Sequence, residues 1–122
     1  MIIVRLMGGH SNQLFQYALG RRRAKELNTE LVLDLSWFKD FADVDTPRFY
    51  ELGCYQLQAS TRENLQGIRV IDPRQPIGRL AKTLRKLHIG NAIWEYHEQG
   101  QGFNPEALMQ PDNTMYIGFW LH

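Results

Sequence analysis

An α/β fold built on a parallel sheet is what this sequence predicts, on three observations. Ile2-Ile3-Val4-Arg5-Leu6 is apolar almost without interruption, the pattern of a strand covered on both faces rather than one. After Gly8-Gly9 the spacing changes, and Leu14, Phe15, Ala18, Leu19 and Leu27 fall on one helical stripe within the segment Leu14 to Leu27. A second apolar run, Leu31-Val32-Leu33-Asp34-Leu35, closes the unit. Strand, glycine turn, helix and strand form a crossover unit, which returns the second strand beside the first.

The elements follow in order. Ser11 is the expected N-cap of the first helix, because its hydroxyl can accept from a free N–H of the first turn. Arg21-Arg22-Arg23 and Lys25 lie on the polar side of that helix; they read as a solvated face rather than a phosphate site, being far from the N-terminal end. Trp37, Phe38 and Phe41 with Asp40, Asp43 and Asp45 make an aromatic-acidic loop, suited either to flanking a sugar or to folding its rings under the sheet. Pro47 sets an extended entry to residues 46–52. Tyr55 to Gln58 alternates as a short strand does. Ser60-Thr61-Arg62-Glu63 matches a capping box for a short helix through Leu65.

Ile68 to Ile71 is the next expected strand, ended by Asp72-Pro73. Ile77, Leu80, Ala81, Leu84 and Leu87 share a helical stripe, with Arg79, Lys82, Arg85 and Lys86 opposite. Such a helix packs its apolar face on a sheet or rests on an anionic membrane surface. Gly90 ends it. Ala92 to Tyr96 is a strand, Gly100-Gln101-Gly102 a loop, Asn104-Pro105-Glu106 the start of a short helix, and Met115 to Trp120 the last strand.

Composition bounds the function. A chain of 122 residues, 43% hydrophobic, can bury one core but not two. A net charge of +1 points to no nucleic-acid partner. The single cysteine, Cys54, allows no internal disulfide and fits a reducing compartment. No apolar run has the length of a membrane span, and the start lacks a signal-peptide layout, so the expected location is cytoplasmic; the basic helix is expected to pack on the sheet with its cations solvated, peripheral contact at the inner face of the membrane being its alternative role. His88, His97 and His122 have no ligand spacing with one another or with a carboxylate pair, so no metal is expected.

Chemistry is expected at the opening turn. In an open α/β sheet ligands collect beyond the carboxyl ends of the strands. There Gly8 and Gly9 permit positive φ and close approach, the helix start favours an anion or a sugar oxygen, and Asn12 and Gln13 add amides. A second reading stays open: the same amides do nothing more than tie down the turn.

The stretch from Met1 to Arg21, with Arg5-Leu6-Met7-Gly8-Gly9-His10-Ser11-Asn12-Gln13-Leu14-Phe15-Gln16-Tyr17-Ala18 at its centre, closely resembles the N-terminus of glycosyltransferase family 11, the α-1,2-fucosyltransferases. The likeness continues in Leu33-Asp34-Leu35-Ser36-Trp37-Phe38, Thr46-Pro47-Arg48-Phe49-Tyr50-Glu51-Leu52 and Met115-Tyr116-Ile117-Gly118-Phe119-Trp120. It is loose between Cys54 and Gln110. Two departures stand out: His10-Ser11 occupies the place of the family's Leu-Gly, and the family's later His-x-Arg-Arg-Gly-Asp motif is absent from these residues.

The resemblance implies a Rossmann-like domain, the N-terminal, acceptor-side half (1–122) of a two-domain GT-B type enzyme, with the C-terminal domain that binds GDP-fucose outside this chain. It implies transfer of L-fucose from GDP-fucose to the 2-hydroxyl of a galactoside, with inversion and without cofactor or metal, in glycan or surface-polysaccharide synthesis. The implied substrate-binding positions are Arg5, Gly8, Gly9, Asn12 and Gln13. Asp34, Asp40 and Glu51 are open candidates for the base, and none is singled out. The isolated chain is expected to be inactive. The other reading is a non-catalytic sugar-binding or interaction fragment, self-associating through an edge that includes part of Met115 to Trp120.

Overall fold

A computed structural model of the chain describes residues 1–40, 50–72, 92–98 and 105–120, without the side chains of Asp40 and Cys54. Their six strands are β1 (Ile2–Arg5), β2 (Leu31–Asp34), β3 (Ser60–Arg62), β4 (Val70–Ile71), β5 (Ile93–His97) and β6 (Thr114–Ile117). They form one all-parallel sheet in the order β3-β2-β1-β6-β5-β4. The expected crossover is present: Ile2 to Arg5 pairs in register with Leu31 to Asp34. β1 and β2 are buried on both faces, as their unbroken apolar runs require.

Helix α1 (His10–Leu27) starts a turn earlier than its apolar residues suggest, and Gly9, not Ser11, is its N-cap. Gly9 is extended, and its carbonyl accepts from the Gln13 N–H at 3.0 Å, which closes the first helical turn and leaves Ser11 inside it, exposed. The buried stripe also differs from expectation. It is Gln13, Gln16, Gly20 and Ala24, while Phe15 is 42% exposed and Ala18 is exposed as well. Leu14, Tyr17, Leu19 and Leu27 flank the stripe and pack on the core from either side. Small residues at its centre bring the helix axis close to the sheet. A Cβ added at Gly20 would stand 2.3 Å from Val4 Cγ2 and 2.8 Å from Leu31 Cδ1, so no larger residue fits unless the helix backs away.

The core has two parts, one on each face of the sheet. Ile2, Val4, Leu6, Leu31, Leu33 and Tyr116 belong to the face under α1. Ile3, Val32, Ile93 and Met115 form the other, with Leu65, Ile68 and Val70 packed against them. On α1 the arginines are partly engaged: Arg22 and Arg23 pair with Glu26, and Arg23 Nε donates to the Gln110 carbonyl at 2.7 Å.

Several expectations are corrected. Trp37 and Phe38 lie in a short helix, α2 (Ser36–Asp40), and meet edge to face at 5.4 Å. Tyr55 to Gln58 forms no strand; it follows a 3₁₀ turn at Leu52–Cys54. The capping-box segment Ser60 to Arg62 is a strand rather than a helix, because the open edge of β2 offers it a ladder through Arg62, whose carbonyl accepts from Leu35 N–H at 2.8 Å. Sheet pairing overrides the local helix signal. The last strand ends at Ile117, and it lies inside the sheet between β1 and β5, so among the described residues β3 and β4 are the outermost strands. Strands at Val70–Ile71 and Ile93–His97 and a 3₁₀ helix at Pro105–Met109 match expectation within a residue or two. The basic helix at 77–87, Gly90, His88, His122, Gly100 to Gly102 and residues 41–49 lie outside the described residues. Among the described residues, no helix is long and apolar enough to cross a membrane.

Candidate functional site

The carboxyl ends of β2, β1 and β6 meet beside the start of α1. The loop leaving β1 turns at Gly8, where φ is +74°, a left-handed value that a side chain resists. A Cβ there would stand 2.6 Å from the Asn12 side-chain nitrogen and 3.3 Å from the Phe119 ring. Glycine is required twice over, by conformation and by space.

Two fully buried amides hold this loop. The Gln13 side-chain NH2 donates to the Gly8 carbonyl at 3.1 Å, and its oxygen accepts from the Glu51 N–H at 2.9 Å. The Gln16 oxygen accepts from the Met7 N–H at 2.9 Å, while its NH2 donates to the Gly118 carbonyl at 3.1 Å. Each glutamine satisfies backbone groups of two loops far apart in sequence, as buried polar groups must be satisfied somewhere. Asn12 differs. It is half-buried against Gly8, and among the described residues it has no hydrogen-bond partner.

Arg5 ends β1 one strand position away. Its Nε donates to Asp34 Oδ2 at 3.3 Å. Asp34 is fully buried, and its other oxygen accepts from the Ser36 N–H at 3.0 Å, starting α2. A carboxylate so engaged is poorly placed to take a proton from a substrate hydroxyl. Of the remaining base candidates, Glu51 is exposed, and the side chain of Asp40 lies outside the description.

Beyond β6 the loop is held by Glu98, whose two oxygens accept from the Phe119 and Trp120 N–H groups, both at 3.1 Å. Trp120 has φ of +59° and is buried, stacked on Tyr96 at 6.0 Å and edge-on to Tyr116 at 5.7 Å. Trp120 Nε1 and Tyr96 Oη are buried, and among the described residues neither has a hydrogen-bond partner. Burial raises the Tyr96 phenol above its ordinary range and raises Tyr116 further; the Tyr116 hydroxyl donates to the Ala107 carbonyl at 2.5 Å.

A cleft of about 320 Å³ opens beside these loops, lined by Leu35, Phe38, Lys39, Tyr50 and Glu63. Leu35 follows β2 and Glu63 follows β3, so the cleft sits at the carboxyl side of the sheet. Its walls are aromatic and aliphatic, with one cation and one carboxylate. That combination suits a small polar ligand with an apolar face.

The structure therefore gathers Gly8, Gly9, Asn12 and Gln13 at one loop and leaves Arg5 engaged with Asp34 beside it. Gln16, Glu98 and the cleft carboxylate Glu63 are positions that sequence reasoning missed. Gln16 carried a signal: it sits one turn from Gln13 on the face that otherwise meets the sheet. The chain matches no family model, no curated protein and no solved structure.

Proposed function

We propose that this domain is the acceptor-side half of an inverting, GT-B type glycosyltransferase, moving L-fucose from GDP-fucose to the 2-hydroxyl of a galactoside. One observation supports the reading above the others. The four stretches that resemble the α-1,2-fucosyltransferases are scattered over the sequence, yet Gln13, Gln16 and the Arg5–Asp34 pair join them at one corner of the sheet. In this reading the galactoside lies in the cleft against Phe38 and Tyr50, and Lys39 and Glu63 meet its hydroxyls. Aromatic rings stack on the apolar face of a pyranose, while charged groups at the rim orient it. Glu63, which lines the cleft, is a carboxylate in position to deprotonate a hydroxyl. GDP-fucose is held by a nucleotide-binding module outside these residues, with Asn12 and the Gly8–Gly9 backbone turned towards it.

The chain itself tests this. Titration of galactosides against the purified 122 residues, followed by NMR shifts, is expected to give saturable binding, with no fucosylated product when GDP-fucose is added. In a version carrying the nucleotide-binding module, Asn12→Ala is expected to lower turnover more than about ten-fold, since an oriented donor acting on developing charge is worth roughly 2.7–4 kcal/mol. The melting temperature should hold, because Asn12 ties nothing together. Galactoside binding no stronger than that of an unrelated sugar would sink the proposal, and so would a variant that melts early but keeps its rate.

A further inference from the structure

A second cluster stands at the carboxyl ends of the two strands on the other side of the sheet. β4 and β5 pair in parallel with Val70 beside Ile93 and Ile71 beside Trp94. One more step of that register brings Asp72 beside Glu95. Along β5 side chains alternate between faces, so Ile93, Glu95 and His97 share one face, the one whose core contains Ile93, and Trp94 and Tyr96 take the other. Residues 72, 95 and 97 thus converge although 23 positions separate the first two.

We propose that Asp72, Glu95 and His97 bind a divalent first-row transition-metal ion of the Zn2+ type. One ligand atom from each lies within 4.8 Å of the others. Glu95 Oε2 and His97 Nε2 are 3.2 Å apart, the separation of neighbouring donors around an ion with bonds of about 2.0–2.2 Å. An Asp72 carboxylate oxygen lies within 4.8 Å of both. All three are half-buried, and the side chains of His97 and Glu95 are 21% and 16% exposed. They are shielded from bulk water but open to an entering ion.

The donor set narrows the ion. An imidazole nitrogen with two carboxylates favours Zn2+, Mn2+ or Fe2+ over Mg2+ or Ca2+, which prefer oxygen alone, and the absence of a thiolate argues against Cu+. Three protein ligands leave a coordination position for water or a substrate oxygen, as in catalytic rather than structural sites. The location agrees, because α/β sheets collect ligands at the carboxyl ends of their strands. Glu98, the residue after His97, is committed to the β6 loop and is not counted as a ligand. This inference is independent of sugar transfer and stands or falls without it.

The metal-stripped 122-residue chain is titrated with Zn2+ by calorimetry and with Co2+ by visible absorption. One ion per chain is expected, with a melting temperature that rises on adding Zn2+, because a ligand that binds only the folded state stabilises it. His97→Ala should abolish both effects. Asp72→Asn keeps the shape of the side chain in a loop position, which guards against loss of the fold, and should weaken binding by more than the roughly 10–100-fold that loss of a supporting hydrogen bond costs a metal site. His10→Ala, at a histidine bonded to Tyr55 on the far side of the sheet, should change nothing. Absence of saturable Zn2+ binding by the wild-type chain overturns the proposal. So does binding that survives both substitutions in chains whose circular dichroism is unaltered.

Discussion

Two ends of one sheet edge treat their polar side chains in opposite ways. Over β1, β2 and β6 the polar groups turn to the backbone: Gln13 and Gln16 bind four main-chain groups between them, and Asp34 holds Ser36. Over β4 and β5 Glu98 also holds main chain, but Asp72, Glu95 and His97 bring ligand atoms of three side chains together. The difference teaches that a polar residue at the carboxyl end of a parallel strand is not evidence of a ligand by itself. It closes a loop when its hydrogen bonds go to main chain, as at Gln16, and it offers ligand atoms where carboxylates and an imidazole converge, as at Glu95 and His97.

Breaking a tie on the first side should cost the most. Gln16→Leu keeps the volume but strands the Met7 N–H and the Gly118 carbonyl, and each stranded group costs about 1–3 kcal/mol. The expected loss in urea unfolding is therefore about 2–6 kcal/mol. Glu95→Gln, made on the second side as the matched change, should lose roughly 1 kcal/mol or less, because a hydrogen-bonding side chain of the same shape remains. Equal losses for the two would erase the distinction.

The next largest effect concerns the turn that the glutamines hold. Gly8→Ala places a methyl group at positive φ and against Asn12. About 1–2 kcal/mol of stability should disappear in the same urea measurement, the ordinary cost of a left-handed backbone for an L-residue. An unchanged midpoint would mean that the loop is free to move and that the amide ties are slack.

The gentlest perturbation is alkaline pH, which reaches the aromatic group between the two regions. Burial raises the phenols of Tyr96 and Tyr116 above their ordinary value near 10. The unfolded chain then loses these protons at lower pH than the folded one, so their contribution is complete below about pH 10 and falls as pH rises further. Thermal unfolding should be flat in this respect up to about pH 10 and decline above it. Replacing Tyr96 with Phe should make the decline shallower, and an unaltered slope would show that other groups govern it.

What could be read from the sequence follows from how local each cause is. β1 and β2 were legible because continuous burial leaves a continuous apolar run, and the glycine turn was legible because Gly8 answers a backbone need. The buried stripe of α1 was not. Gln13 and Gln16 are polar and Gly20 is small, so apolar periodicity passes over them in favour of Phe15 and Ala18, which are exposed. Ser60 to Arg62 carries a genuine helix-start signal, and the vacant edge of β2, which made it a strand, has no local trace. At the candidate site Gly8, Gly9, Asn12 and Gln13 were gathered as their nearness in sequence implies. The Glu63 cleft and the Asp72–Glu95–His97 cluster depend on strand register; only the Glu95-x-His97 alternation within a strand hinted at the latter.

The order of the strands has a further consequence, for how the domain comes into being. Its central seam joins β1 to β6, pairing Ile2 with Thr114, Ile3 with Met115 and Val4 with Tyr116. The middle of the sheet is therefore its longest-range contact, and the edge strands β3 and β4 come from the middle of the chain. During synthesis β1, α1 and β2 can assemble early, but β4 and β5 have no sheet to join until β6 has emerged. Loop closure across more than a hundred residues must precede the contacts that reward it. The seam around Tyr116 is thus expected to close last, and nascent chains stopped short of β6 are expected to leave β1 and β5 each with an unpaired side.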